Sequence, residues 1–307
     1  MDTPRQAFNA TDFPKWLPWT IAGLLFLYLL SAAIASALLL RGNDASQVRA
    51  LARWLPVPVA RVDGQLIWAR EYLDYRAFIE TFIARSNQAE EAIDTGVPVG
   101  QQVINLLVAN KTVQRAGKEE GITVTEAEVN GAFDDILVAQ GGDAPRQVSE
   151  EELNTILEEL YGSTQDQLRD LIRVRLIEEK IKGELIEQVH FRHILVRDEG
   201  RANDVLERLK AGQVFEELAK EFSEHLESRD LGGEMGFVSR GGQSQVIEQA
   251  LFTNPVGLVQ SPVQSDFGFH LIEILEKKGH IQQSFDAWLT DAEARYRANV
   301  YLRLPAA

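Results

Sequence analysis

The sequence predicts an α+β chain led by one transmembrane helix. Three observations carry this: an uncharged apolar run over residues 17–40, apolar residues at helical spacing through 59–188, and two alternating strands, 189–196 and 268–275, that enclose short helices and paired glycines. At ~150 residues per domain, 307 residues make about two domains. With 46 acidic and 31 basic residues the net charge is −15, which repels phosphate backbones and argues against nucleic acid as a partner. There is no cysteine, so disulfide scaffolds, cysteine-ligated zinc, iron–sulfur clusters and thiol nucleophiles are excluded, and thiol usage says nothing of the redox compartment.

Residues 1–16 read as a short tail. The run 17–40 that follows carries Leu24, Leu25, Phe26, Leu27, Leu29 and Leu30 and ends in Leu38, Leu39 and Leu40. At about 1.5 Å per residue it is long enough for a hydrocarbon core of ~30 Å, with Trp16 and Trp19 where interfacial aromatics belong. It reads as an uncleaved anchor. A cleaved signal peptide is the alternative, because Ala33-Ile34-Ala35 has the small residues of a cleavage site, although the run is long for such a peptide and stays apolar beyond that point. The flanks do not orient it, since Arg5 and Lys15 precede it and Arg41, Arg49 and Arg53 follow. Residues 41–58, polar and basic and ending in Pro56-Val57-Pro58, read as a juxtamembrane linker.

Residues 59–188 read as a helical domain opened by a hairpin. Val59 to Ile67 alternates around Asp63-Gly64, the dipeptide of a tight turn. Helical stripes follow: Tyr72, Tyr75, Phe78, Ile79 and Phe82; Val103, Leu106, Leu107 and Val113; Val129, Phe133, Ile136 and Leu137; and Leu168, Leu171, Ile172, Leu176 and Ile177. Gly96, Gly121, Gly141-Gly142 and Gly162 break these runs, and Thr125 with Glu128 three residues on is a capping box. Acidic runs such as Glu150-Glu151-Glu152 read as solvated helix faces, not as calcium sites. Nothing in this region clusters as a catalytic site.

The texture changes at residue 189. Val189 to Val196 alternates as a strand, 204–209 and 215–222 are helices separated by Gly212, and Gly268 to Leu275 is a second apolar strand, so that 189–279 make a compact α/β domain. Phe285, Trp288, Leu289, Ala292 and Tyr296 then give 280–307 an amphipathic helix, whose apolar face is expected to dock on the helical domain. On the first strand His193 shares a face with Phe191 and Leu195, and on the last His270 shares one with Ile272 and Ile274. Either histidine alone could simply be satisfied in a core. Two of them on one small sheet, with glycine-rich loops between, favour function. The glycine pairs Gly232-Gly233 and Gly241-Gly242 lack a phosphate-binding pattern, and Gly241-Gly242-Gln243-Ser244 lacks the elbow of a serine hydrolase.

Taken in order, His193-Ile194-Leu195-Val196, Gly212 with Phe215, Leu218 and Ala219, Phe222-Ser223, Gly232-Gly233-Glu234-Met235-Gly236, Ala250-Leu251-Phe252, Gly257, Pro262-Val263 and Phe267-Gly268-Phe269-His270 resemble a parvulin over residues 189–279. Parvulins are the rotamase or PpiC-type peptidyl-prolyl cis/trans isomerases. The surrounding arrangement is similar to membrane-anchored or exported foldases of the SurA, PpiD and PrsA type, which set a parvulin beside a helical chaperone domain; Val62 to Ile67 and Leu160 to Leu176 carry that likeness. The resemblance implies a four-stranded antiparallel sheet with surrounding helices. It also implies a single-pass protein of the cell membrane, held by 17–40, with its bulk on the extracytoplasmic side. Its partners would be unfolded or nascent exported polypeptides containing Xaa-Pro, and it would need no cofactor and no metal.

The implied chemistry is rotation about an Xaa-Pro amide, a barrier of ~18–20 kcal/mol set by carbonyl–nitrogen resonance, crossed without any covalent bond to the protein. By resemblance His193 and His270 form a hydrogen-bonded network that sets tautomers, with Ser265 beside them, while Met235, Gln243, Ile247 and Phe252 line the proline-ring pocket. Gln243 stands where the family usually has Met and Ile247 where it usually has an aromatic, so the pocket is expected to be more polar and less enveloping. His225, two after Ser223, stands where the family has Asp or Cys beside the reacting amide. It could take over that hydrogen-bonding role, mark a weakened enzyme that binds without isomerising, complete a three-histidine metal site, or be a solvated loop residue. The site shows no obvious carboxylate or hydrogen-bond partner that would orient such a metal set. The favoured function is a membrane-anchored prolyl isomerase acting as a foldase on exported chains; the alternatives are a holdase with a weakened or vestigial parvulin domain and a membrane assembly factor acting as a tether.

Overall fold

The computed structural model describes residues 17–42, 45–88, 96–139 and 146–304; the tail over 1–16 with its Trp16, and the Gly141-Gly142 break, lie outside the described residues. In chain order the first elements are α1 (Leu17–Leu40), α2 (Ser46–Trp54), β1 (Pro58–Val62), β2 (Gln65–Trp68), α3 (Ala69–Gln88), α4 (Val99–Glu119) and α5 (Glu126–Ile136). They are followed by β3 (Val138–Ala139), β4 (Arg146–Gln147), α6 (Glu150–Tyr161), α7 (Gln165–Lys180) and a π-helical turn (Ile181–Leu185). Next come β5 (Gln188–Val196), α8 (Glu199–Lys210), α9 (Phe215–Phe222), α10 (Leu226–Arg229), β6 (Glu234–Ser239) and α11 (Gln245–Thr253). The last are β7 (Gly257–Leu258), β8 (Val263–Ser265), β9 (Gly268–Lys278), α12 (Phe285–Arg295) and β10 (Ala298–Val300). The chain folds as two compact units, one from residues up to Lys111 with 137–168 and the segment from Tyr296 on, the other from 112–136 and 169–295.

The first unit opens with the hairpin its sequence predicts. Val62 pairs with Gln65, and Asp63 (φ 42) and Gly64 (φ 87) both take the left-handed conformation that a two-residue turn matching strand twist requires. The other edge of β1 is covered by β10, with Ala60 opposite Val300. This differs from the reading of 280–307 as a helix: α12 ends at Arg295, and the open edge of β1 offers backbone donors and acceptors that a short segment can satisfy. A second difference is α2, in the stretch read as a linker. Val48, Ala52 and Leu55, at i, i+4 and i+7, are buried, a stripe too short to stand out among polar and basic neighbours.

Among the described residues no helix is long and apolar enough to cross a membrane, which overturns the reading of 17–40 as a transmembrane anchor. The run is helical, as α1, but its second half is built to pack on protein. Ser31, Ala32, Ala35, Ser36 and Leu39 form one stripe, in which Ala35 and Leu39 are buried. The hydroxyls of Ser31 and Ser36 donate back to the carbonyls of Tyr28 and Ala32, and the Arg303 N–H donates to the Leu40 carbonyl at 2.9 Å. One face of the second half of α1 is thus taken up by contact with protein.

The second unit contains the capping box of α5, where the Thr125 N–H donates to Glu128 Oε2 (2.7 Å) and the Glu128 N–H to Thr125 Oγ1 (3.3 Å). Its sheet runs β6-β5-β9-β7, all antiparallel, with β8 also on β9. That makes five strands where the resemblance implies four. The reason is the length of β9: β7 pairs with its Glu273 and Ile274, leaving the same edge free for β8 to pair with Gly268, Phe269 and His270. The sheet separates two apolar clusters. Val189, Phe191, Ile272 and Ile274 face α11, while Ile194, Val196 and Leu271 face α8 and α9.

Candidate active site

β5 and β9 bring the two predicted histidines together. In the register of this pair His193 lies opposite Ile272 and His270 opposite Leu195, so the rings are diagonal neighbours on the face that carries Phe191 and Ile274. Nδ1 of one lies 3.2 Å from Nδ1 of the other, and the rings stack with centroids 5.3 Å apart. β8 adds Ser265, whose Oγ lies 2.7 Å from His270 Nε2. Gly233 fixes the far side: its carbonyl accepts the His193 N–H at 2.9 Å, and a Cβ on Gly233 (φ 86) would overlap the His193 carbonyl oxygen.

Ser265 Oγ also accepts the Phe267 N–H at 3.1 Å, which holds the hydroxyl beside His270 Nε2. One proton lies between the two Nδ1 atoms, so that one neutral ring donates to the other across the 3.2 Å contact. His193 Nε2 is buried and, among the described residues, has no hydrogen-bond partner. Burial, with the neighbouring His270 and His225 rings adding to it, pushes His193 down to about 3. Burial first and His225 second push His270 down to about 4. Both imidazoles are therefore neutral at neutral pH, able to orient dipoles and not to exchange a proton with substrate.

His225 joins this pair. Its ring meets that of His193 edge to face, at 4.7 Å and 74°, and its Nδ1 lies 2.7 Å from the hydroxyl of Ser228. Ser223 supports the loop, accepting from the backbone N–H groups of Leu195 and His225 at 3.3 Å each. Among the described residues no group of three or more His, Cys, Asp or Glu side chains is placed to hold a metal ion. Ser228, buried to 2% exposure, is the neighbour of these histidines that sequence reasoning missed. Its one signal is spacing, three residues after His225 and so on the same face of a helical turn.

The four residues expected to line the ring pocket divide. Ile247 and Phe252 on α11 and Met235 on β6 join the apolar cluster with Phe191, whose ring meets His193 edge-on at 6.1 Å. Phe252 is covered by the Arg240 guanidinium, 4.2 Å above its ring and bonded to Glu187 at 2.7 Å. Gln243 lies outside that cluster, half-buried on the loop before α11.

Residues 13–182 match the SurA-like N-terminal domain, and residues 174–278 match the PPIC-type PPIASE domain. Foldase protein PrsA 2 of Bacillus cereus is 35% identical over 111 residues, 36% of this chain and 39% of that protein. Foldase protein PrsA of Caldanaerobacter subterraneus subsp. tengcongensis is 32% identical over 182 residues, 57% and 56% of the two chains. These matches span about half or less of the relatives' own length. Among solved structures, the crystal structure of peptidylprolyl isomerase PrsA from Bacillus anthracis matches with 23% identity over 62% of this chain and 85% of that one, at a TM-score of 0.32.

Proposed function

We propose, for a chain that belongs to the SurA-like N-terminal domain family and carries a PPIC-type PPIASE domain, that it is a foldase whose activity is the cis/trans isomerisation of Xaa-Pro bonds. The observation that carries this reading is the neutral imidazole pair, joined Nδ1 to Nδ1, closed by Ser265 and set against an apolar cluster. Amide rotation needs no nucleophile and no proton shuttle. It needs surroundings that favour the twisted, less polar amide over the planar one, and a water-poor surface ringed by fixed, uncharged hydrogen-bonding groups supplies them. Met235, Ile247 and Phe252 receive the proline ring, His193 and His270 hold the floor, and His225 takes the place beside the reacting amide. Gln243 on the rim makes the site more polar and less enveloping. The clients on this reading are unfolded, exported polypeptides met on the extracytoplasmic side, a role the name foldase of the relatives supports.

The test is the cis-to-trans relaxation of a panel of Xaa-Pro tetrapeptides with the full chain. Acceleration by the wild type that falls about tenfold or more in His193→Ala and His270→Ala is expected. Equal acceleration in all three proteins sinks the reading.

One observation favours a second activity, holding unfolded chains. In the first unit a groove of about 700 Å³ is lined by Arg53, Trp54, Asp74, Asn154 and Gln167 among others, and Trp54 is 85% exposed. Gln167 Oε1 accepts from the Thr164 N–H and the Ser163 hydroxyl, so its NH₂ is left to donate to a peptide carbonyl beside the indole. Suppression of client aggregation that survives His193→Ala and fails in Trp54→Ala is the expected signature. Suppression unchanged by Trp54→Ala would remove the groove from the account.

A further inference from the structure

The Ser228 hydroxyl is buried to 2% exposure, and among the described residues its only hydrogen-bond partner is His225 Nδ1, at 2.7 Å. Were that hydroxyl merely to accept from an Nδ1–H, its own hydrogen would be left unpaired in the interior, at the full desolvation cost of an O–H. Donation by Ser228 avoids this, and an imidazole that accepts at Nδ1 carries its proton at Nε2. The backbone holds Ser228 where it must be for this. Its carbonyl accepts the N–H groups of Leu231 and Gly233 (3.0 and 2.8 Å), and Gly233 in turn accepts the His193 N–H. The Ser228 hydroxyl is thereby tied to the same turn that fixes the histidine floor.

The opposite edge of the half-buried His225 ring, with Nε2, has no partner among the described residues, and the ring stands 4.7 Å from that of His193. We propose that Ser228 is a positioning residue that fixes His225 as the Nε2–H tautomer, making it a hydrogen-bond donor to the nitrogen of the twisted prolyl amide. In the planar amide that nitrogen's lone pair is delocalised into the carbonyl and accepts poorly. As the bond twists the pair localises, so the bond from His225 forms in the transition state and not in the ground state. A carboxylate at this position can only accept, so an imidazole held in this tautomer changes the sign of the interaction.

This rests on the isomerase reading, and the experiment separates the two. Imidazole ¹⁵N shifts of the full chain report the tautomer without reference to activity. The wild type and Ser228→Thr are expected to show His225 protonated at Nε2, and Ser228→Ala a mixture of tautomers. In the peptide assay Ser228→Ala is expected to lower kcat about fivefold with KM unchanged, Ser228→Thr to restore it, and Ser228→Ala to have no effect on top of His225→Phe. A wild-type His225 protonated at Nδ1, or unchanged kcat in Ser228→Ala alongside an active wild type, overturns the proposal alone. No acceleration by the wild type overturns both readings.

Discussion

At His193 and His270, burial outweighs the tendency of imidazole to titrate near neutrality. Both side chains lie under a tenth exposed, and both are pushed below the ordinary value of 6.5, to about 3 and about 4. The unfolded chain therefore binds protons that the folded chain does not between those values and about 6.5. The two groups favour folding fully above pH ~6.5 and progressively less as pH falls through ~4 and then ~3. Thermal melts from pH 7 down to 4 are expected to show a falling Tm, and a His193→Asn, His270→Asn double variant a shallower fall; parallel slopes would mean the acid sensitivity lies elsewhere. The strand faces of His193 and His270 are legible from alternation alone. Their mutual bond and the place of Ser228 beside them are not, because each depends on a register or a loop path that residue spacing does not encode.

Elements are held at two points by backbone that only glycine tolerates. Gly233→Ala forces a Cβ against the His193 carbonyl at φ 86 and is expected to cost about 2 kcal/mol or more while lowering isomerisation, read by denaturant unfolding and the peptide assay together. Gly64→Ala, at the hairpin turn with no neighbour closer than the Arg61 guanidinium at 3.7 Å, should cost only about 1 kcal/mol of conformational strain and leave isomerisation unchanged. A reversed order of these effects would argue against Gly233 as the support of the site. Strongly patterned elements are legible: the hairpin from Asp63-Gly64, α5 from its Thr125 and Glu128 cap, β5 and β9 from alternation. The strands β7, β8 and β10 are not, since two or three residues carry no period and form only because a longer strand leaves them an edge. Residues 17–40 err in the other direction. Their apolar content is plain, but whether small residues on one face meet protein is a property of the fold.

For the whole molecule, the segment after α12 closes the first unit, pairing β10 with β1 and placing Leu302 in a buried position. Deleting residues 296–307 exposes that strand edge and the Leu40 carbonyl, and is expected to lower the Tm by about 5 °C or more while the rate in the peptide assay stays unchanged. A net charge of −15 repels phosphate backbones and gives no reason to expect nucleic acid among its partners. The central claim is that prolyl isomerisation belongs to the His193–His270 pair and is separable from chain holding at the Trp54 groove. The most direct measurement is the slow, proline-limited refolding phase of a client protein in the presence of the full chain, compared among wild type, His270→Ala and Trp54→Ala. The account predicts acceleration by the wild type and by Trp54→Ala, and none by His270→Ala. A refolding phase accelerated equally by His270→Ala would contradict it.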